Sequence, residues 1–250
     1  MREKKVALVT GASSGLGREF CRQLASRCDS IIAIARRGER LLELQQELQG
    51  KTEVHIVVAD LSTLEGQART IEALRQKGPV DYLVNNAGMS TYGLFAEQAI
   101  DSQQQMVSLQ INAVMALCRA AIPFMKARGH GSIINVSSVS SFVPYPTMTV
   151  YGGCKAFLTA FSEALYMEVK DYGVDVQCLC PGLISTEFHS TESMSSFDLN
   201  KIPDRRWGNP VNIVAASLSA IGSDQVILAP GEENLQDCRS GVNRVLDQLH

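Results

Sequence analysis

The chain has 250 residues, 45% hydrophobic and 20% charged, enough to bury a substantial core in one large α/β domain. Its net charge of -3 and pI near 5.8 remove the electrostatic case for a nucleic-acid partner or an anionic membrane surface. The seven cysteines are odd in number, scattered and without a CxxC pair, which fits reduced thiols in a cytoplasmic protein better than a disulfide framework and offers no metal-binding spacing.

The start, MREKKVALVTGAS, has an apolar run too short for a secretory signal, and no segment approaches the roughly 18 apolar residues of a membrane span. No linker, low-complexity tract or repeat divides the chain, so residues 1–250 are expected to form a single domain. Short β-rich runs alternate with longer segments of helical spacing, the pattern of repeated βα units in a parallel sheet covered on both faces. Right-handed crossovers make a doubly wound open sheet the economical architecture, with ligands beyond the C-terminal ends of the strands.

The first strand, VALVT at 6–10, runs into TGASSGLG and a helix near 15–27. Gly11, Gly15 and Gly17 do not keep the G-x-G-x-x-G spacing, but a tight turn without Cβ atoms still lets a pyrophosphate approach backbone N–H groups at a helix N-terminus. The second strand, SIIAIA at 30–35, ends in Ala35-Arg36-Arg37 before a helix near 38–49. An NAD-type site usually has an acid about 20 residues beyond the glycines, and an arginine there suits a 2′-phosphate instead. Here the acid is missing; Arg36 is read as the clamp and Arg37 as the more solvated charge. The third strand, VHIVVA at 54–59, ends at Asp60-Leu61, where Asp60 is either a ligand-facing group or the N-cap of a helix at 63–77. The fourth, DYLVNN at 81–86, ends in NNAG, whose small residues suit close approach of a flat ring to the backbone. A long helix at 99–127 carries Asn112 and the very apolar stretch AVMALCRAAIPFM. The fifth strand, SIINVS at 132–137, precedes Ser138, with Ser137 its rival because adjacent strand residues face opposite ways. The helix at 151–172 opens with Tyr151 and Lys155 one turn apart, with Gly152 and Gly153 between them as candidates for close packing. The sixth strand, DVQCLC at 175–180, leads into PGLIST; a helix near 209–221, a seventh strand QVILA at 225–229 and a helix near 232–249 complete the chain.

In order and mutual spacing, TGASSGLG, Asp60, NNAG, Asn112, Ser138, Tyr151-x-x-x-Lys155 and PGLIST resemble the short-chain dehydrogenase/reductase family over residues 5–230. The resemblance implies a single Rossmann-like sheet of seven parallel strands, order 3-2-1-4-5-6-7, with helices on both faces, NAD(P)(H) chemistry without a metal, and a homodimer or homotetramer. By its motifs Tyr151 is the general acid that protonates a carbonyl oxygen as hydride arrives, Ser138 orients that carbonyl, and Asn112 lies where the helix opens to hold a relay water. Lys155 holds the nicotinamide ribose, and as an ammonium near a phenol of pKa about 10 it is expected to favour phenolate. Coenzyme contacts are implied for Gly11, Ser13, Ser14, Gly15, Leu16, Gly17, Arg36, Arg37, Asp60, Leu61, Asn86, Ala87, Gly88, Tyr151, Lys155, Pro181, Gly182, Ile184 and Thr186, and the missing acid at Ala35 makes NADP(H) the expected coenzyme.

Met89, Tyr92, Phe95, Phe142, Tyr145, Met148, Phe188, Met194 and Phe197 suggest an apolar, partly aromatic substrate pocket, with a lid at about 185–208. An NADPH-dependent reductase of a medium-sized apolar ketone or aldehyde is therefore expected, with a 3-oxoacyl thioester reductase as the nearest alternative and a non-catalytic NADP(H) sensor as a remote one. Cys154 lacks a His partner and His55, His130 and His189 lack ligand spacing, so none is expected to be catalytic. The C-terminal extension at 231–250 departs from the family pattern, in which the last strand ends in a Gly-Gly turn near the terminus, and puts the second, tetramer-forming interface in question.

Overall fold

In the computed structural model, which describes residues 4–190 and 192–249, the strands are β1 (Val6–Thr10), β2 (Ser30–Ala35), β3 (Glu53–Val58), β4 (Tyr82–Asn85), β5 (Gly131–Val136), β6 (Val174–Leu179) and β7 (Ile227–Leu228). All pair in parallel in one sheet of order β3-β2-β1-β4-β5-β6-β7. Every residue of β1 and β2 is buried, as expected of strands covered on both faces. Alternation sorts β1 between two cores: Ala7 and Val9 face one, Val6 and Leu8 the other. The first core is closed by α1 (Gly15–Leu24), α2 (Gly38–Glu47) and α7 (Pro210–Ala220), through Phe20, Leu24, Leu41, Leu44 and Leu218. The second is closed by α3 (Leu64–Lys77), α5 (Ala113–Arg128) and α6 (Thr149–Val169), through Leu74, Leu117, Ala121 and Leu158.

Local chemistry starts and stops these helices. Thr63, rather than Asp60, caps α3 by accepting from Gly66 N at 3.0 Å. Asn209 caps α7 with Pro210 in its first turn, and α5 ends on Gly129 at φ 70°. β7 has two residues rather than the five expected, because it is an edge strand paired only with β6 and Pro230 follows two residues after its end.

The long helix differs from expectation in two respects. It is α4 (Ile100–Val107) joined to α5 by a π-helical turn at Ser108–Asn112. Contrary to the reading that no segment approaches a membrane span, Ile100–Arg128 is by length and apolarity sufficient to cross one; here Ala113, Val114, Leu117, Cys118, Ala121 and Met125 are buried in the core against the sheet.

The segment 185–208 is a succession of short 3₁₀ turns whose two ends are tied by the Ile184–Gly208 bridge, with Ser185 N donating to Gly208 O at 3.2 Å. It docks on the loop after β4, where Tyr92 N donates to Ser193 O at 3.0 Å and Tyr92 meets Phe197 edge to face. The C-terminal extension is α8 (Glu232–Asp247).

Candidate active site

A cleft of about 810 Å³ runs along the C-terminal ends of β1 to β6. Its floor at one end is the glycine-rich turn, where Gly11 and Gly15 have φ of 67° and 53°, a region only glycine enters freely. The turn is closed from below by Asn86: a Cβ at Gly11 would lie 2.7 Å from Asn86 Nδ2, and one at Gly17 would collide with both Asn86 Nδ2 and Gly11 O. Thr10 locks the NNAG turn to this floor, because its Oγ1 accepts from the N–H groups of Asn86 and Ala87, both at 2.9 Å, while its carbonyl accepts from Asn86 Nδ2 at 2.8 Å. The amide of Asn86 is thus a brace between two turns. Asn85 points into the core, donating to Asn135 Oδ1 at 2.8 Å. Neither Thr10 nor this bracing role of Asn86 was read from the sequence, since both depend on β1 and β4 being neighbours.

At the end of β2 the two arginines differ in what they touch, and it is Arg37, read as the more solvated of the pair, that has partners in the turn. Arg37 reaches back to the glycine turn and donates to Ser14 Oγ at 2.8 Å and Ser13 Oγ at 3.2 Å. Arg36 is the more exposed of the pair. The side chains of successive residues leaving a strand point opposite ways, and it is the second that turns towards β1. Both line the cleft, together with Ser13, Ser14, Leu16, Asp60, Leu61, Ala87 and Gly88. Asp60 accepts from the backbone and hydroxyl of Ser62, at 2.9 and 2.7 Å.

The other end of the cleft holds Ser138, Tyr151 and Lys155, with Pro181, Gly182, Ile184 and Thr186 from the loop after β6. Ser137 turns the other way and donates to Lys155 O at 2.8 Å, which leaves Ser138 as the serine hydroxyl beside the tyrosine. Lys155 is 5% exposed; its ammonium donates to Val136 O at 2.9 Å, the one hydrogen bond it makes among the described residues, and so keeps donors for a further ligand. Burial pushes the Tyr151 hydroxyl up to about 12, against a smaller lowering by the Ser138 hydrogen bond, and burial also lowers Lys155 to about 8. The expectation that Lys155 lowers the phenol is not met, because desolvation dominates both groups and Lys155 Nζ stands 5.4 Å from the ring centroid. Burial likewise raises the Cys154 thiol, which is not primed as a nucleophile.

Asn112 is not among the residues that line the cleft. Its side chain is exposed, whereas Gln110, two residues earlier on the same π turn, is fully buried and donates from Nε2 to Met89 O at 3.1 Å. Gln110 Oε1 is buried without a partner among the described residues and lies beside Gly88, where a Cβ would approach it to 3.2 Å. Two residues along a helix rotate a side chain by about 200°, so only one of the pair can face the NNAG turn. The helix opens where the sequence reading put it, but a different side chain faces inward.

Of the expected pocket residues, Tyr92, Tyr145, Met148, Phe188, Met194 and Phe197 line the cleft, while Phe95 is exposed, Met89 packs behind with Tyr151, and Phe142 supports α8. A Cβ at Gly153 would meet nothing within 4 Å and one at Gly152 only Ser140 O at 3.4 Å, so close packing within the chain does not require either glycine. The side chain of His189 lies outside the described residues, and no cluster of metal-ligating side chains occurs among those described.

The family model of the short chain dehydrogenases matches residues 5–195. Very-long-chain 3-oxoacyl-CoA reductase-A of Danio rerio is 30% identical over 224 residues, 87% of this chain and 67% of that protein. Among solved structures, a short-chain dehydrogenase from Sphingobium yanoikuyae in complex with NADPH superposes with a TM-score of 0.85 at 28% identity, covering 98% of this chain and 95% of that one. The bulky-bulky ketone specific alcohol dehydrogenase from Comamonas testosteroni gives 0.80 at 27% identity, with the same coverage. With a strand order, a glycine turn and a Ser138–Tyr151–Lys155 cluster that agree with these matches, the chain belongs to the short-chain dehydrogenase family of oxidoreductases, which act on CH–OH and C=O groups with a nicotinamide coenzyme.

Proposed function

We propose that the protein is an NADP(H)-dependent carbonyl reductase, working reversibly as an alcohol dehydrogenase on a medium-sized apolar ketone or aldehyde. The observation that carries this reading is one cleft with a cationic, hydroxyl-lined end at Ser13, Ser14 and Arg37 and an apolar, aromatic end around Tyr151. The residues fit the coenzyme. Ala35 puts no carboxylate at the ribose, Arg37 is fixed on the turn, and Lys155 retains donors for ribose hydroxyls. The NADPH bound by the Sphingobium relative supports the same choice.

When bound, NADPH supplies a hydride to the carbonyl carbon. Tyr151 supplies the proton to the carbonyl oxygen, and its raised pKa keeps it in the protonated form that reduction requires near neutral pH. Ser138 holds the same oxygen in line with the phenol. Lys155 places positive charge beside the phenolate left behind. Gln110 takes the place first assigned to Asn112: it pins Met89 and so holds the NNAG turn, and its buried Oε1 suits a bound water. A second reading, reduction of a 3-oxoacyl thioester, is favoured by the name of the Danio rerio relative.

The test is turnover of a carbonyl panel, followed by loss of NADPH absorbance, in wild type and Tyr151→Phe. Turnover is expected to fall by about 10²–10⁴-fold or more in the variant, with NADPH affinity retained. An active Tyr151→Phe enzyme would remove Tyr151 from the acid role.

A further inference from the structure

The tripeptide Thr186-Glu187-Phe188, where the lid leaves its anchor, touches three parts of the site at once. Thr186 lies over the glycine turn, 3.3 Å from where a Cβ at Gly15 would be. The ring of Phe188 stands 6.1 Å from that of Tyr151, centroid to centroid. Between them, Glu187 accepts from Arg37 Nη1 at 2.9 Å and lies 3.9 Å from Arg40 Nη2. The remaining nitrogens of Arg37 are engaged by Ser13 and Ser14, so the guanidinium is fixed to the turn and offers one edge to an anion. A carboxylate from the lid, 150 residues away in sequence, occupies that edge.

We propose that Glu187 is a latch through which the lid reads the 2′-phosphate of the coenzyme. The inference rests on the NADP(H) reading of the cleft. A monoester phosphate carries about 1.5–2 negative charges at neutral pH and three acceptor oxygens, against the single charge of a carboxylate. The two anions repel one another at contact distance, so they do not share Arg37 cheaply. A 2′-phosphate therefore displaces Glu187, and because Glu187 is bonded directly to Phe188, its release loosens the Phe188 contact with Tyr151 at the other end of the cleft. An unphosphorylated adenosine ribose leaves the latch closed. Coenzyme choice and access to the catalytic phenol are thereby linked through one residue.

The single tryptophan of the chain, Trp207, sits next to Gly208 at the lid's other anchor and reports on the lid without labelling. Wild type and Glu187→Gln are titrated with adenosine 2′,5′-bisphosphate and with 5′-AMP, by calorimetry and by Trp207 emission. Removing the competing carboxylate is expected to tighten the bisphosphate by about two- to fivefold, the range of an exposed ion pair, and to leave 5′-AMP unchanged. The bisphosphate is expected to change Trp207 emission in wild type but not in Glu187→Gln, whose latch is already open. Unchanged or weaker bisphosphate binding in the variant, equal tightening of both ligands, or wild-type emission that does not respond to the bisphosphate would overturn the latch. If wild type binds the bisphosphate no more tightly than 5′-AMP, the NADP(H) reading itself fails and the latch with it, an outcome separate from the others.

Discussion

In the candidate site, Lys155 and Tyr151 are the two ionisable side chains whose burial alters their chemistry most. For Lys155 the native value of about 8 lies below the ordinary 10.5, so the native state loses its proton first as the pH rises. Below pH 8 both native and unfolded chains hold the proton and the cost of burying the ammonium is borne in full; between 8 and 10.5 the unfolded chain binds more protons and stability rises. Lys155→Met is therefore expected to stabilise the coenzyme-free protein near pH 7 by up to roughly 3 kcal/mol, with the advantage closing as the pH climbs through that window. Denaturant melts of both proteins across this range check the sign. A companion prediction separates Gln110 from Asn112. Gln110→Leu removes the hydrogen bond to Met89 O and is expected to lower kcat by tenfold or more at ordinary stability cost, on the order of 1–2 kcal/mol, whereas Asn112→Ala is expected to leave kcat near wild type, because its side chain is exposed. Steady-state kinetics of the two variants decide between them.

Among the elements, α8 makes the C-terminal extension a structural part of the site. Asn234 lies against Gly182 in the loop after β6, Gly241 packs on the Phe142 backbone after β5, and Glu233 and Asp237 pair with Arg206 of the lid, Glu233 also with Arg205 at 3.1 Å. A Cβ at Gly241 would collide with Phe142 O, a backbone atom that cannot swing aside. Gly241→Val is thus expected to lift α8 from its seat, lower Tm by several degrees, in keeping with about 1–3 kcal/mol for overpacking, and raise the substrate KM far more than the NADPH KM, since the lid loses its anchor while the glycine turn is untouched. Thermal melts and the two KM values measure this; equal rises in both would detach α8 from the lid.

For the whole molecule, the outer faces of α4, α5 and α6 leave Ile100, Met115, Phe124 and Met167 exposed at 60, 38, 44 and 65%. These side chains make the outer faces of α4, α5 and α6 the candidate association surface for the dimer that the family resemblance implies. A homodimer through these helices is the expected state at micromolar concentration by light scattering, and Phe124→Asp with Met167→Glu is expected to give a monomer. A monomeric wild type would remove the dimer from the account. On α8, Val242, Val245 and Leu246 are exposed, as is Leu249 just beyond it.

The succession of seven strands, the glycine turn and the Tyr151–Lys155 pair were legible from local spacing: short apolar runs, a helix start after a strand, a pair one turn apart, whereas the strand order and the choice of Ser138 over Ser137 came with the family resemblance. What spacing could not decide is which way a side chain faces once the backbone leaves a regular form. A π turn within Ile100–Arg128 puts Gln110 inside and Asn112 outside, although the two are equally plausible amides in the sequence. At the end of β2, Arg37 rather than Arg36 turns back to Ser13 and Ser14 because those hydroxyls lie in the turn that follows the neighbouring strand β1, 24 and 23 residues away along the chain. Burial belongs to the same class: it lowers the ammonium of Lys155 and raises the phenol of Tyr151, because the sheet, α6 and the loop after β6 close around both and only the assembled fold sets how much water reaches them.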